Sequence, residues 1–239
     1  MNMMMLKNVL LFLDIDNEKL KIGSWRGNIM DFEKDMIIKN ITPMGYGMMF
    51  LSADLFLENI KRNSIRSSKF LSYFNKNMDV YFDFISRGII VPFNRIVCHD
   101  TPLYIKISDY KYEVPLGYEL VFKYDGFCID VGKNALLSLI SFSSMDDKNI
   151  VKKGITHQKH FTFDNKEYWT AIDFEIPSGK WFFNMYGLRK KELSSEEKHY
   201  DQGYAYGFHF YQSNELSNYN LEKCDDDKFD FSLRNNRRL

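Results

Sequence analysis

Residues 112–117 read YEVPLG and residues 174–179 read FEIPSG, so one phrase recurs 62 residues along the chain. Each copy joins an aromatic residue, Glu, a β-branched residue, Pro, a variable residue and Gly. Proline fixes φ and glycine tolerates positive φ, so the phrase predicts the end of one strand, a tight turn and the start of another. The repeat favours a β-sandwich built from a partly duplicated hairpin unit.

Strand-like runs extend outward from both copies. They cover residues 10–15, 19–22, 48–51, 80–85, 89–93, 103–107, 118–124, 136–142, 161–163, 168–174, 180–186 and 204–211. Short strands between polar or glycine-containing turns are typical of a sandwich or a barrel. The 21 Phe and 15 Tyr among 239 residues also favour half-buried strands. We therefore predict an all-β, mainly antiparallel fold.

Three segments depart from this pattern. Residues 54–77 are polar and basic with apolar side chains at roughly helical spacing, and predict one short helix or crossing loop. Residues 189–201 predict a solvated loop or one helical turn. We predict a first β unit in residues 1–150, a second partial β unit packed on it in residues 151–215, and a charged tail in residues 216–239 whose composition favours flexibility.

The balance of charges limits the classes of partner that the protein can be expected to bind. Lys plus Arg and Asp plus Glu each number 32, so no global field favours nucleic acid or an anionic membrane. The best local basic patch is formed by Lys61, Arg62, Arg66 and Lys69. No apolar run approaches the roughly 20 residues of a membrane helix, and no secretory signal is recognised. The sequence thus predicts a soluble protein without a nucleic-acid or membrane partner.

The cysteines indicate the compartment. Cys98, Cys128 and Cys224 are odd in number and widely spaced, which fits a reducing compartment better than a disulfide framework. Cys98 with His99, and the distant Cys128 and His209, provide the atoms for zinc without a recognised spacing. We expect a cytoplasmic protein with no metal and no other cofactor.

Two further patterns are candidates for a catalytic or metal-binding site. Residues 10–16 read LLFLDID and mimic the Asp-x-Asp opening of phosphatases that use an aspartyl nucleophile. No βαβ alternation follows, so Asp14 and Asp16 are interpreted as a strand running into a turn. His157 and His160 would share a helix face, but in a strand they point to opposite faces. No catalytic constellation emerges, and we predict that the chain is not an enzyme.

Aromatic residues leave one alternative open. Four of them form a candidate platform for stacking on a sugar ring or a base, namely Trp169, Trp181, Tyr204 and Tyr206. Large aromatics also fill sandwich cores, and that interpretation is the stronger of the two. A carbohydrate- or ligand-binding β-sandwich module is therefore the alternative function.

Several segments resemble the competence protein J family, β-rich bacterial inhibitors of a DNA-entry nuclease. They are residues 48–54, 79–85, 103–107 and 136–143, with GIIVPF at residues 88–93 and YEVPLGY at residues 112–118. The resemblance covers residues 9–145, while residues 155–212 look like a decorated repeat of its later part. It implies a protein that binds and neutralises a toxin or nuclease, although no binding residue of the family matches a position here.

We therefore predict an immunity-type protein that occludes a cognate bacterial toxin, a nuclease being the expected partner. Trp25 and Arg26 form a candidate recognition pair, because Trp and Arg are enriched at binding hot spots. Carboxylates can mimic phosphates toward a basic nuclease cleft, and the acidic cluster consists of Asp225, Asp226, Asp227 and Asp230. Open edge strands would also allow a homodimer.

Overall fold

The computed structural model describes residues 36–96, 100–146, 158–161, 165–199, 202–212, 221 and 229–233. The chain divides into two units, Met1–Phe32 and Glu33–Leu239, and every described residue belongs to the second. The strands predicted at residues 10–15 and 19–22 lie outside the described residues.

The described strands form two sheets. They are β1 (Ile37–Ile41), β2 (Gly47–Ser52), β3 (Ile90–Asn94), β4 (Thr101–Ile107), β5 (Tyr118–Val131), β6 (Leu136–Ser141), β7 (Gln158–Phe161), β8 (Glu167–Glu175), β9 (Gly179–Lys190) and β10 (Tyr204–Gln212). Sheet 1 has the order β1-β4-β10-β9-β5 and sheet 2 the order β3-β2-β6-β8-β7. Neighbours are antiparallel except the parallel pair β4 and β10. The prediction of an all-β fold is confirmed only as a mainly β, mainly antiparallel class, because the described residues also form helices.

A phenylalanine-rich core joins the two sheets. Phe50 of sheet 2 lies with its ring centroid 4.8 Å from that of Phe208 and 5.3 Å from that of Phe183, both in sheet 1. The near-perpendicular ring planes match the edge-to-face geometry that aromatic quadrupoles prefer. The aromatic excess in the composition is thus used mainly to fill the space between the sheets.

Helices cover the other face of sheet 2, where α1 (Ala53–Arg62), α2 (Phe70–Lys76) and α3 (Met78–Ser86) pack on Met49 and Leu51. Both faces of β2 are therefore buried.

A helix is confirmed within residues 54–77, but the strand predicted at residues 80–85 is wrong. Its apolar residues satisfy a helical period, since Phe84 and Ile85 are buried while Phe82 is 45% exposed. The charged insertion contains one helical turn, α4 (Ser195–His199).

The repeated phrase starts strands, but it does not build hairpins. After YEVPLG the chain enters β5, and after FEIPSG it enters β9. Strand β8, which precedes the second copy, lies in sheet 2 while β9 lies in sheet 1, and β4 does not pair with β5. The duplication is not seen as two equivalent hairpins. Proline and glycine encode a local turn, whereas strand pairing is decided by distant residues.

Both sheets combine strands from before and after residue 150. Strand β10, for example, pairs with β4 on one side and β9 on the other. Within the predicted tail, residues 229–233 bring Phe231 and Leu233 into the core between the sheets. The predicted first and second units therefore contribute to one core.

Candidate functional site

The segment after β4, residues 108–117, crosses the outer face of sheet 1. Tyr206, Phe208 and Phe210 of β10 point into the core, so the alternate residues Gly207 and His209 face the other way. The ring of Tyr112 stacks on that of Tyr186 from β9, with centroids 4.1 Å apart and planes 16° from parallel. Residues 108–117, the crossing loop, thus pack on the sheet through an aromatic pair.

Hydrogen bonds hold the crossing loop at both ends. The N–H of Ser108 donates to the carbonyl of Phe210 at 3.0 Å, and Nε2 of His209 donates to the carbonyl of Ser108 at 2.8 Å. At the far end, the N–H of Lys191 donates to the carbonyl of Gly117 at 2.9 Å. The loop is therefore anchored to the sheet it crosses at both ends.

The loop ends in a tight turn that displays a leucine. The N–H of Tyr118 donates to the carbonyl of Pro115 at 3.1 Å, and Gly117 has φ +85°, as the third residue of a type II turn requires. Leu116, between them, is fully exposed. The apolar side chains of Tyr110, Val114 and Leu120 are also exposed near it in the sequence. An ordered loop with this much exposed apolar surface is a candidate binding surface.

A cleft of about 610 Å³ opens between the crossing loop and the outer face of sheet 1. We call it the loop cleft, and its lining consists of Lys111, Tyr112, Glu113, Val114, Leu120, Lys123, Asn184, Tyr186 and His209. Such a volume lies in the range of small-molecule pockets. The loop cleft and the Leu116 turn therefore adjoin through the crossing loop.

Burial shapes the chemistry of the loop cleft. Desolvation lowers the pKa of His209, so the imidazole is neutral near pH 7. Its Nε2 carries the proton because the carbonyl of Ser108 can only accept. Desolvation also raises the pKa of the Tyr112 hydroxyl, which stays a protonated donor. Lys123 keeps its charge beside Asp125, with Nζ 2.6 Å from Oδ1.

A second, more polar cleft of about 590 Å³ lies at the end of β9 and is built from ion pairs. Nε of Arg189 donates to the carboxylate of Glu119 at 2.7 Å, and Nζ of Lys190 to that of Glu197 at 2.6 Å. The Lys190 ammonium and the N–H of Ser194 lower the pKa of Glu197 to about 2. Two of the four cations of the lining are paired in this way, and the other two are Lys191 and Lys198.

One of the predicted binding residues lies among the described residues. The main-chain carbonyl of Asp230 accepts a hydrogen bond from the hydroxyl of Tyr124 at 3.1 Å, and its carboxylate accepts one from the N–H of Ser232 at 2.8 Å. Asp230 thus helps to fix residues 229–233 against the sheets. Trp25, Arg26 and residues 225–227 lie outside the described residues, and their role stays a prediction.

The four aromatics of the alternative do not form one exposed platform. Trp181 and Tyr206 are buried in the core, where the indole N–H of Trp181 donates to the carbonyl of Pro177 at 2.7 Å. Trp169 belongs to sheet 2 and Tyr204 to sheet 1. The interpretation as core aromatics holds for Trp181 and Tyr206, because they lie between the sheets.

The remaining candidates gain no chemistry from the fold. His160 lies on β7, with Nε2 2.9 Å from the hydroxyl of Thr170 and its ring stacked on Tyr168. His157, Cys98, His99 and residues 14–16 lie outside the described ranges. Among the residues that the structure describes, no three His, Cys, Asp or Glu side chains are grouped to hold a metal ion. The described helices include none long and apolar enough to cross a membrane.

The Leu116 turn was not recognised as a binding surface from the sequence. The phrase YEVPLG was interpreted as scaffold, although leucine in the middle of a Pro-x-Gly turn is itself a signal. Turn positions are usually exposed, and a large apolar residue there gains nothing from folding. Exposed apolar residues in an ordered turn therefore point to a binding surface.

Fold and site together define a protein with two packed sheets, helices on one outer face and a fixed loop crossing the other. No protein-family model and no curated protein matches the chain. Two solved structures match the chain, each with 10% sequence identity and each covering 75% of this chain. One is ComJ from Bacillus subtilis, described as an inhibitor of the DNA-degrading activity of NucA, with a TM-score of 0.39 over 98% of that chain. The other is described as crocagin biosynthetic gene J, with a TM-score of 0.38 over 96% of that chain. The predicted resemblance to competence protein J is confirmed as a distant likeness of fold.

Proposed function

We propose that this chain is an immunity-type protein, which binds a cognate bacterial toxin and blocks its active site without catalysing a reaction. The observation that carries the proposal is the Leu116 turn, a fully exposed apolar side chain on a loop fixed from both ends. The side chain of Leu116 buries no surface within the monomer, so it contributes little to its stability. It is suited to enter a cleft of another protein.

Preorganisation explains why a fixed turn favours binding. A flexible loop loses conformational entropy when a partner orders it, whereas the crossing loop is already ordered by Ser108, Gly117 and the stacked ring of Tyr112. Burying a leucine side chain contributes about 1.5–3 kcal/mol. Neighbouring apolar side chains would exclude water from that contact, as around binding hot spots. The turn can therefore anchor a protein interface.

The nuclease is proposed as the partner because residues 9–145 resemble the competence protein J family in sequence. The acidic cluster of residues 225–227 with Asp230 supports the same partner class, since carboxylates complement a basic phosphate-binding cleft and accelerate association. We further propose that the encounter takes place in the cytoplasm, because three widely spaced cysteines fit a reducing compartment.

The test is capture of the partner by the tagged protein and by two variants. Leu116→Asp places a carboxylate at the tip of the turn, and Tyr46→Asp is the matched control. Tyr46 is 83% exposed and has φ +62°, a conformation that Asp tolerates better than Tyr. Proteins retained from the source-cell lysate after a high-salt wash are identified by mass spectrometry. Each is then purified, and its DNA-degrading rate is titrated with the chain.

We expect one stoichiometric partner with nuclease activity, inhibited at a one-to-one ratio. Leu116→Asp should weaken its binding by at least 30-fold, because a leucine contact worth about 2 kcal/mol or more is lost and a carboxylate must be desolvated. Tyr46→Asp should bind as the wild type does. Equal capture by both variants would remove the turn from the interface, and a captured partner without nuclease activity would contradict the proposed partner class.

A further inference from the structure

A third cleft opens between β1, an edge strand of sheet 1, and β8 of sheet 2. The N–H of Thr42, directly after β1, donates to the carbonyl of Trp169 on β8 at 2.7 Å, which ties the two strands together. The cleft has a volume of about 330 Å³, and we call it the edge cleft. Its lining consists of Lys39, Asn40, Asp100, Glu167, Trp169 and Ile172. The volume lies at the small end of the range for ligand pockets.

Two of the lining residues are apolar. Ile172 is 2% exposed and belongs to the core between the sheets, and the ring of Trp169 packs against the same core. Trp169 is only partly buried, so part of its surface faces the edge cleft. An apolar group of a ligand can therefore pack on the indole, since small-molecule sites are lined mostly by apolar and aromatic side chains.

Lys39 brings a positive charge to this cleft. Side chains alternate along a strand, and Ile37 and Ile41, two positions to either side of Lys39, face the core. Lys39 thus lies on the inner face of sheet 1, and its ammonium makes no ion pair with a described residue. An inward-pointing lysine also keeps an edge strand from pairing with another chain, but that role needs neither a carboxylate nor a tryptophan beside it.

Asp100 brings a negative charge to the same cleft. It directly precedes β4, whose first residue, Thr101, pairs with Ile41 of β1. Partial burial raises the pKa of the Asp100 carboxyl, and no cation among the described residues offsets this desolvation. Glu167, the second carboxylate of the lining, is exposed and engaged in another interaction. Lys39 and Asp100 therefore line one cleft without pairing with each other, and each can meet a ligand group of opposite charge.

We propose that the edge cleft binds a free amino acid with an apolar side chain, its α-ammonium at Asp100, its α-carboxylate at Lys39 and its side chain on Trp169. Two separated charges of opposite sign favour a zwitterion, because each end of such a ligand meets a complementary group. The amide of Asn40 adds a hydrogen-bond donor and an acceptor to the same lining. This site lies beyond the proposed function and does not depend on it.

The test uses three probes that share one side chain. They are L-phenylalanine, L-phenylalaninamide, which lacks the carboxylate, and 3-phenylpropanoate, which lacks the ammonium. Each is titrated into the full chain labelled with ¹⁵N, and binding is followed by two-dimensional NMR. The indole N–H signal of Trp169 is identified by its absence from the spectrum of Trp169→Phe. We expect this signal to shift saturably with phenylalanine, with a dissociation constant in the millimolar range for a ligand of this size.

The two other probes measure the contribution of each charge. Each should bind about fivefold more weakly than phenylalanine, because one hydrogen bond to a charged group is lost. In Asp100→Asn, phenylalanine should bind no better than 3-phenylpropanoate, since the ammonium no longer meets a carboxylate. In Lys39→Gln, phenylalanine should bind no better than phenylalaninamide, for the corresponding reason. The matched controls are Asp79→Asn and Lys69→Gln, both at exposed positions near the helices, and they should leave the three affinities unchanged.

Stability separates a binding role from a structural one. Asp100→Asn removes a partly desolvated charge that no described cation offsets, so its unfolding midpoint in urea should stay the same or rise. A loss of phenylalanine binding in this variant would then not reflect a loss of folding.

Three results would overturn the proposal. They are no saturable shift of the Trp169 indole signal with phenylalanine, equal binding of phenylalaninamide or 3-phenylpropanoate, or unchanged selectivity among the probes in both Asp100→Asn and Lys39→Gln. Leu116→Asp separates this proposal from the proposed function, since it should weaken capture of the partner while phenylalanine binds as before. Failure of one proposal therefore does not imply failure of the other.

Discussion

Gly207 is the position where a single methyl group tests the packing of the crossing loop. A Cβ atom built there would lie 2.2 Å from the hydroxyl oxygen and 2.6 Å from Cζ of Tyr112, closer than real contacts allow. Tyr112 has little freedom to shift, because its ring stacks on Tyr186 at 4.1 Å. Gly207→Ala should therefore push the tyrosine, and with it the crossing loop, away from sheet 1.

The magnitude follows from what Tyr112 loses. Exposing a buried aromatic side chain costs about 1.5–3 kcal/mol, and loss of the aromatic pair costs about 0.5–1.5 kcal/mol more. Alanine in a strand regains about 0.5–1 kcal/mol relative to glycine. Gly207→Ala should thus lower the free energy of unfolding by about 1–4 kcal/mol. The change is destabilising because the losses at Tyr112 exceed the gain from replacing glycine.

A double-mutant cycle with Tyr112→Ala isolates this contact. The wild type, the two single variants and the double variant are unfolded in urea. Their free energies of unfolding are compared, provided that the dependence of the free energy on urea concentration is the same for all four. With the tyrosine ring removed, Gly207→Ala should become neutral or stabilising by about 0.5–1 kcal/mol. The reasoning is refuted if Gly207→Ala is as stable as the wild type, or equally destabilising in both backgrounds.

Two further predictions concern stability. The carboxylate of Asp146 accepts hydrogen bonds from the N–H of Leu71 at 2.9 Å and from the hydroxyl of Ser72 at 2.6 Å. It therefore caps α2, whose own N-cap residue makes no side-chain hydrogen bond. Asp146→Ala should lower the free energy of unfolding in urea by about 1–2 kcal/mol and Asp146→Asn by less, and an unchanged midpoint would count against the cap. Burial lowers the pKa of His209 in the folded state below the unfolded value of about 6.5, so near that pH the native protein binds fewer protons than the unfolded chain. The neutral, buried imidazole therefore contributes its full stability above about pH 6.5, and this contribution is lost as the pH falls toward the folded pKa. His209→Gln should therefore lose less stability than the wild type between pH 7.5 and 5.5, and parallel losses would show that another group is responsible.

Much of the strand pattern was predictable, because the alternation of apolar and polar residues is local. The runs at residues 103–107, 168–174 and 204–211 fall within β4, β8 and β10. Residues 80–85 were wrongly predicted as a strand, since Val80, Phe82 and Phe84 alternate as in a strand. The helix is decided by Phe84 and Ile85, which are buried against α1, α2 and sheet 2. The sequence pattern alone does not decide between a strand period and a helix period here, because the choice depends on the surface against which the segment packs.

The candidate site was less predictable for the same reason. Tyr112, Tyr186 and His209 are separated by tens of residues in the sequence, and only the order of strands in sheet 1 brings them to one cleft. Gly207 carries no sequence signal for its role, because the tyrosine that it accommodates is 95 residues away. Long-range juxtaposition of this kind leaves no periodic trace.

The sequence by itself determined the mainly β class, the positions of most strands and the turn at Pro115 and Gly117, because each depends on neighbouring residues. Only the tertiary structure decided that the repeated phrase begins two paired strands, β5 and β9, and builds no hairpin. It also decided that Leu116 is displayed on the crossing loop beside the loop cleft. Strand pairing and the closing of a loop over a sheet are set by packing between distant segments, which local propensity does not encode.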